Sequence, residues 1–280
     1  MGSAQFGPPP SKRFDVTPSA DEVAFFKENG FLVVQRLTTD EEIAWLRRIF
    51  EHIFSPEQAS ATGAPLDRSG TLQAGEASRL QQSFFPEMQY PDLLKTNHHR
   101  NARKYAAALL GIDESRLSCW GHMIKKPPGG RPALWHQDHA YWQPELDYCA
   151  LGVWLPMHDV SVEMGAMQFI PGSHKRGLLP HHHADKPVHN NLEVDSGYHD
   201  ASKAVACPLK AGGATFHTSE TLHYTAPNTT QQDRLAFPME FQITPVRRAT
   251  PYKMPWVDET RGARPQGPLN YVADGKLILV

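Results

Sequence analysis

Beyond Gly111 the chain becomes a succession of short apolar runs, and this feature limits its fold more than any other. "SCWGHMIKK", "PPGGRPALWHQDHAYW", "CALGVWLPMHDV", "AMQFIPGSH", "AVACPLKAGGATFHT", "TLHYTAPN" and "RLAFPMEFQITPV" follow one another, separated by turn residues. Many short strands with such turns build a sandwich or a closed barrel. A jelly roll suits this pattern, because its two sheets leave a mouth in which a ligand sits. No repeat of fixed period is visible.

The part before Gly111 reads as helical. In "SADEVAFFKENG", Ser19 and Glu22 form a capping box and Gly30 is the stop. "FLVVQRL" (31–37) is a short β-rich run. "TTDEEIAWLRRIFEHIF" places Ile43, Leu46, Ile49, Phe50 and Ile53 on one helical face. "PDLLKTNHHRNARKYAAALLG" is expected to be a third helix, opening at Pro91 and ending at Gly111. Residues 55–85 and 175–204 read as long polar loops, the second of them near a site, and the "HHH" at 181–183 as a solvated feature. The expected organisation is a flexible tail (1–16) and one domain (17–280). That domain divides into a mostly helical part (17–111), a jelly-roll core (112–250) and a C-terminal extension (251–280).

Composition excludes several classes. The chain has 280 residues, 40% hydrophobic and 21% charged, as in ordinary globular proteins. A net charge of −2 and a pI near 6.7 argue against a nucleic-acid binder. No apolar stretch reaches the length of a membrane span, and "MGSAQFGPPPSKRF" is no signal peptide. Three widely spaced cysteines without C-x-x-C spacing fit a reducing compartment, and a cytoplasmic protein is expected. Oligomeric state cannot be read from this sequence.

Two stretches carry chemistry. In "PALWHQDHAYW" (132–142), His136 and Asp138 are two apart, so on a strand both side chains face one side and His139 faces the other. In "FHTSETLHYTAPNTTQQDRLAF", His223 precedes a turn and Arg234 follows it, so a hairpin would set the two side by side. Two imidazoles and one carboxylate form a facial triad with open positions, the pattern of non-haem Fe(II) oxygenases. A buried arginine requires an anion, and a carboxylate fits its fork. A His2Asp zinc hydrolase and a non-catalytic metal-binding jelly roll remain open on spacing alone. "KK" (125–126) reads as a solvated pair, and His217 as either a hydrogen-bonded strand histidine or a group that supports the metal ligands.

In order, "NGFLVVQRLTTDEEIAWLR", "IKKPP" (124–128), "HQDHAYW", "GAMQFIPGSHKRGLLPH" and "LHYTAPNTTQQDRLAF" resemble motifs of the phytanoyl-CoA dioxygenase family, across residues 20–245. The resemblance implies a double-stranded β-helix (jelly-roll, cupin-like) core with N-terminal helices. It implies an Fe(II)/2-oxoglutarate-dependent dioxygenase that uses O2. By position, His136, Asp138 and His223 are the implied catalytic metal ligands. Arg234 and Thr225 are implied to hold the co-substrate, with Gln137, Trp154 and His122 beside it. Asp138 stands where related halogenases carry a small residue, which implies hydroxylation or another oxidation. The substrate is expected to be a small molecule: an acyl-CoA, an amino-acid derivative or a secondary metabolite.

Overall fold

The computed structural model describes residues 4–58, 66–67, 80–184, 191–261, 270–273 and 276–279. Its frame is two facing β-sheets. The larger uses β1 (Phe31–Val34), β2 (Leu66–Asp67), β3 (Gln81–Phe84), β4 (Ser118–Lys126), β7 (Ala150–Pro156), β12 (Ala214–Thr218) and β14 (Arg234–Gln242), in the order β1-β12-β7-β14-β4-β3-β2. The smaller runs β11 (Val205–Cys207), β8 (Met167–Phe169), β13 (His223–Thr225) and β5 (Ala133–His136). Antiparallel pairs accompany them: β6 (Leu146–Asp147) with β15 (Val246–Arg247), β9 (His181–His183) with β10 (Leu192–Val194), and β16 (Asn270–Ala273) with β17 (Lys276–Leu279). This is the jelly roll expected from the strand pattern.

Period-2 alternation divides the large sheet into two faces. Leu235, Phe237, Met239 and Phe241 of β14 join Leu151, Val153 and Leu155 of β7 on the outer face, packed beneath the helices. Arg234, Ala236 and Glu240 of β14, Gly152 and Trp154 of β7, and Trp120, His122 and Ile124 of β4 face the smaller sheet. All nine residues of β14 are buried, so its few polar side chains stand out as exceptions in an otherwise apolar strand.

Helices α1 (Ala20–Asn29) and α2 (Asp40–Ile53), the single turn α3 (Pro86–Gln89), and α4 (Asn97–Leu110) lie on the chain's N-terminal side, and α5 (Pro255–Arg261) follows the core. The Ser19–Glu22 capping box and the left-handed Gly30 stop bound α1 as expected. All five apolar residues assigned to one face of α2 are buried. The third helix starts later than expected. Pro91 opens a separate 3-10 turn (Pro91–Lys95), and Thr96 caps α4 by accepting from the His99 N–H at 3.1 Å. Tyr105 of α4 stacks on Phe216 of β12 at 5.2 Å.

Other loop expectations are also revised. Residues 66–67 and 81–84 form β2 and β3 rather than loop, while 59–65 and 68–79 lie outside the described residues. The described part of the tail is tied down, since Asn97 bonds the Phe14 N–H and the Lys12 carbonyl, both at 3.0 Å. No helix among the described residues is long and apolar enough to cross a membrane. Cys119, Cys149 and Cys207 are free thiols.

Candidate metal centre and its pocket

His136 ends β5 and His223 begins β13, directly opposite each other in the register, with ring centroids 4.1 Å apart. Asp138 follows two residues later, where the chain enters a 3-10 turn (Asp138–Tyr141). The shared face is therefore reached by a turn, not by strand alternation. His136, Asp138 and His223 bring one donor atom each within 4.8 Å of one another. Asp138 Oδ1 lies 3.7 Å from His136 Nε2 and 3.5 Å from His223 Nε2.

The hydrogen bonds around the trio suit a metal ion. His136 Nδ1 donates to the Leu134 carbonyl at 2.6 Å, and His223 Nδ1 donates to the Thr221 carbonyl at 2.9 Å. Those bonds fix the tautomers that leave both Nε2 lone pairs facing inward. His217 Nε2 donates to Asp138 Oδ2 at 3.0 Å, leaving Oδ1 toward the trio. Burial, then the neighbouring His223, holds the His136 imidazole down to about 3, so it stays a neutral donor. His139 turns away, its Nδ1 3.4 Å from Glu220, as the spacing predicts.

Arg234 is not beside His223 on a hairpin. It opens β14 in the large sheet, while His223 lies on β13 in the smaller one, so they meet across the mouth between the sheets. Arg234 is buried, donates to the Gly165 carbonyl at 2.7 Å, and stands 5.4 Å from the Trp154 ring. Lys126 pairs with it in the register and is fully buried, which overturns the reading of "KK" as a solvated pair. Its Nζ donates to Thr225 Oγ1 at 2.8 Å and to the Ala226 carbonyl at 2.9 Å. Burial, then Arg234, pushes the Lys126 ammonium well below its ordinary value, and burial holds Arg234 down to about 10. Neither cation meets a carboxylate among the described residues.

A cavity of about 280 Å³ joins these groups. Thr225, Trp154 and Arg234 line one end, and Trp120, His122 and Glu240 line the other. Of the other residues expected beside the co-substrate, Gln137 is outside the cavity lining and His122 is within it. Gln137 points out of the pocket, donating to the Gly177 and Glu220 carbonyls at 2.9 and 2.6 Å and accepting from the Leu179 N–H at 2.7 Å. His122 stacks between Phe84 and Trp120 at 5.3 and 5.7 Å, four residues along β4 from Lys126. The histidine triplet forms β9 rather than a solvated loop, and His181 is buried with Nε2 accepting the Gln137 N–H at 3.2 Å. Sequence spacing did not single out Lys126 or Glu240. Only the pairing of β4, β7 and β14 shows that Glu240 faces the cavity and that Lys126 lies beside Arg234.

A profile of the phytanoyl-CoA dioxygenase (PhyH) family matches residues 26–236. The chain belongs to this family. Phytanoyl-CoA dioxygenase, peroxisomal, of Mus musculus is 26% identical over 227 residues, covering 78% of this chain and 66% of that protein. The chain thus spans just under two thirds of that relative. Among solved structures, EvdO2 from Micromonospora carbonacea var. aurantiaca superposes with a TM-score of 0.76 at 34% identity, over 88% of this chain and 99% of that one. The same protein complexed with 2-oxoglutarate gives 0.75 at 32% identity, with the same coverage.

Proposed function

We propose that the chain is a non-haem Fe(II)/2-oxoglutarate-dependent dioxygenase that hydroxylates a C–H bond of a small organic molecule. Family membership and the 2-oxoglutarate complex of a structural relative support this reading. What supports it most is the His–Asp–His trio and the buried Arg234 lining one pocket, with the buried Lys126 bonded to the lining residue Thr225. A buried cation without a counter-ion is costly, and a dicarboxylic co-substrate supplies the anion. A hydrolytic zinc site or a non-catalytic metal site leaves Arg234 and Lys126 without one.

His136, Asp138 and His223 would hold the iron, which with 2-oxoglutarate and O2 supplies the oxidising equivalent and yields succinate and CO2. The chain's own residues bind and orient. Arg234 presents its guanidinium to the distal carboxylate, with Trp154 as the wall beside it. Thr225 Oγ1 accepts from Lys126, so its proton is free to donate into the pocket. His217 keeps Asp138 oriented. The free thiols support a reducing compartment.

Anaerobic addition of Fe(II) and 2-oxoglutarate to the metal-free protein is expected to give a weak visible charge-transfer band, and O2 then gives succinate. Asp138→Ala abolishes both while Arg234→Ala weakens 2-oxoglutarate and spares iron binding. A folded protein that gives neither band nor succinate rules the reading out.

A further inference from the structure

One row of residues crosses the large sheet at the end of the pocket away from Arg234. His217 of β12 pairs with Gly152 of β7, Gly152 with Glu240 of β14, and Glu240 with Trp120 of β4. His217 holds Asp138, so this row underlies the metal centre on the side the co-substrate groups leave free. Gly152 is required there. A Cβ at this position would lie 2.7 Å from His217 Nε2 and 3.4 Å from Glu240 Oε2. The two polar side chains thus lean over the glycine from both sides.

Glu240 has no local reason to be a carboxyl. It sits in a strand whose nine residues are all buried, and it is itself only 6% exposed. Its Oε1 has no hydrogen-bond partner, and no cation among the described residues pairs with it. Around it the cavity is walled by Trp120, Phe84, Ile124, Tyr141, Trp142 and Pro238. A buried polar atom left without a partner is destabilising, and apolar pockets use a few such groups to fix a ligand's orientation.

We propose that Glu240 is the substrate anchor, and that its carboxyl takes a hydroxyl group of a neutral, carbon-rich substrate whose skeleton lies against Trp120. The term substrate rests on the oxygenase reading, but the subsite itself stands on the geometry of this row. Burial disfavours an ionised carboxylate here, and Asp138 nearby adds to that. An uncharged carboxyl both donates and accepts, as a hydroxyl does, so one substrate hydroxyl satisfies it. An ammonium would need the ionised form in an aromatic enclosure that also borders a metal ion. Anchoring at Glu240 holds the skeleton over the row that carries Asp138 and presents its nearest C–H bonds to the metal centre.

Three matched probes test this: 3-phenylpropan-1-ol, 3-phenylpropylamine and propylbenzene. Their affinities are read by ligand-observed NMR on the full chain loaded with Zn(II) and N-oxalylglycine, a redox-inert stand-in for the co-substrate. The alcohol is expected to bind wild type about tenfold more tightly than either other probe. Glu240→Gln keeps that preference, because it retains a donor and an acceptor in the same outline, and Glu240→Leu removes it. Tightest binding of the amine, no alcohol preference in wild type, its loss in Glu240→Gln, or its survival in Glu240→Leu overturns the proposal. Thermal stabilisation by N-oxalylglycine, read on the same three proteins, reports the Arg234 end separately. Its absence alongside an intact alcohol preference overturns the co-substrate reading and not the anchor.

Discussion

Lys126 and Arg234 are expensive residues for a ligand-free protein. Each is a buried base, and the hydrogen bonds that hold them are donated to neutral oxygens. Such a pair is explained by what it binds, since a carboxylate entering the pocket turns the desolvation cost into attraction. Lys126 acts through Thr225, whose hydroxyl it orients, and so counts as a positioning residue. Lys126→Met keeps the bulk and removes the charge. It is expected to weaken 2-oxoglutarate binding by about 10- to 100-fold, the worth of a charge-assisted hydrogen bond. Binding of 2-oxobutyrate, which lacks the distal carboxylate, should change little, and the melting temperature of the ligand-free protein should not fall. Calorimetry with both acids decides the matter, because a structural role for Lys126 would lower the two affinities together.

Elements, not single residues, bring the pocket together, and one buried carboxylate ties two of them. Glu42 of α2 accepts from the Asn97 and His98 N–H groups at 2.6 and 2.8 Å, and from the Thr38 hydroxyl. It thereby caps α4 from a neighbouring helix, satisfying donors that the helix itself leaves open. Glu42→Ala is expected to cost about 3 kcal/mol of unfolding free energy in urea, as several buried donors lose their partner. A loss under 1 kcal/mol would mean that water replaces the carboxylate. Nothing in "TTDEEIAWLRR" distinguishes this glutamate from its neighbour Glu41, although the apolar period of α2 is plain in the same stretch. The same division runs through the fold. Alternation and caps locate α1, α2 and the β body, because those signals are local. The pairing of β13 with β5 and β8, and of β14 with β4 and β7, is a long-range choice that no turn announces. For that reason His223 and Arg234 read as a hairpin but belong to facing sheets, Lys126 read as solvated, and Glu240 had no visible role. The trio itself was legible because its two residue types, His and Asp, are rare in apolar runs and their order is specific.

At the scale of the whole molecule, buried histidines outside the metal trio make stability depend on pH. His98 and His99 of α4 pack edge-on or tilted against Phe237 and Phe241 of the large sheet, and His181 lies beneath the Trp256 ring. Burial, then His99, pushes His98 down to about 3. Burial, then Arg103, pushes His99 down to about 4, and burial does the same for His181. An unfolded chain protonates these imidazoles near pH 6.5, whereas the folded chain leaves them neutral until pH approaches 4. Between those values the unfolded state binds more protons, so stability rises with pH through the window and levels off above about pH 7. Each fully linked imidazole contributes a slope of about 1.4 kcal/mol per pH unit below its unfolded value. Urea unfolding of metal-free protein from pH 7.5 to 5.0 is expected to show this fall in stability. His98→Phe, which keeps a ring against Phe237, should remove about one imidazole's share of the slope. An unchanged slope in that variant would show that His98 is protonated in the folded state and that α4 opens to solvent on acidification.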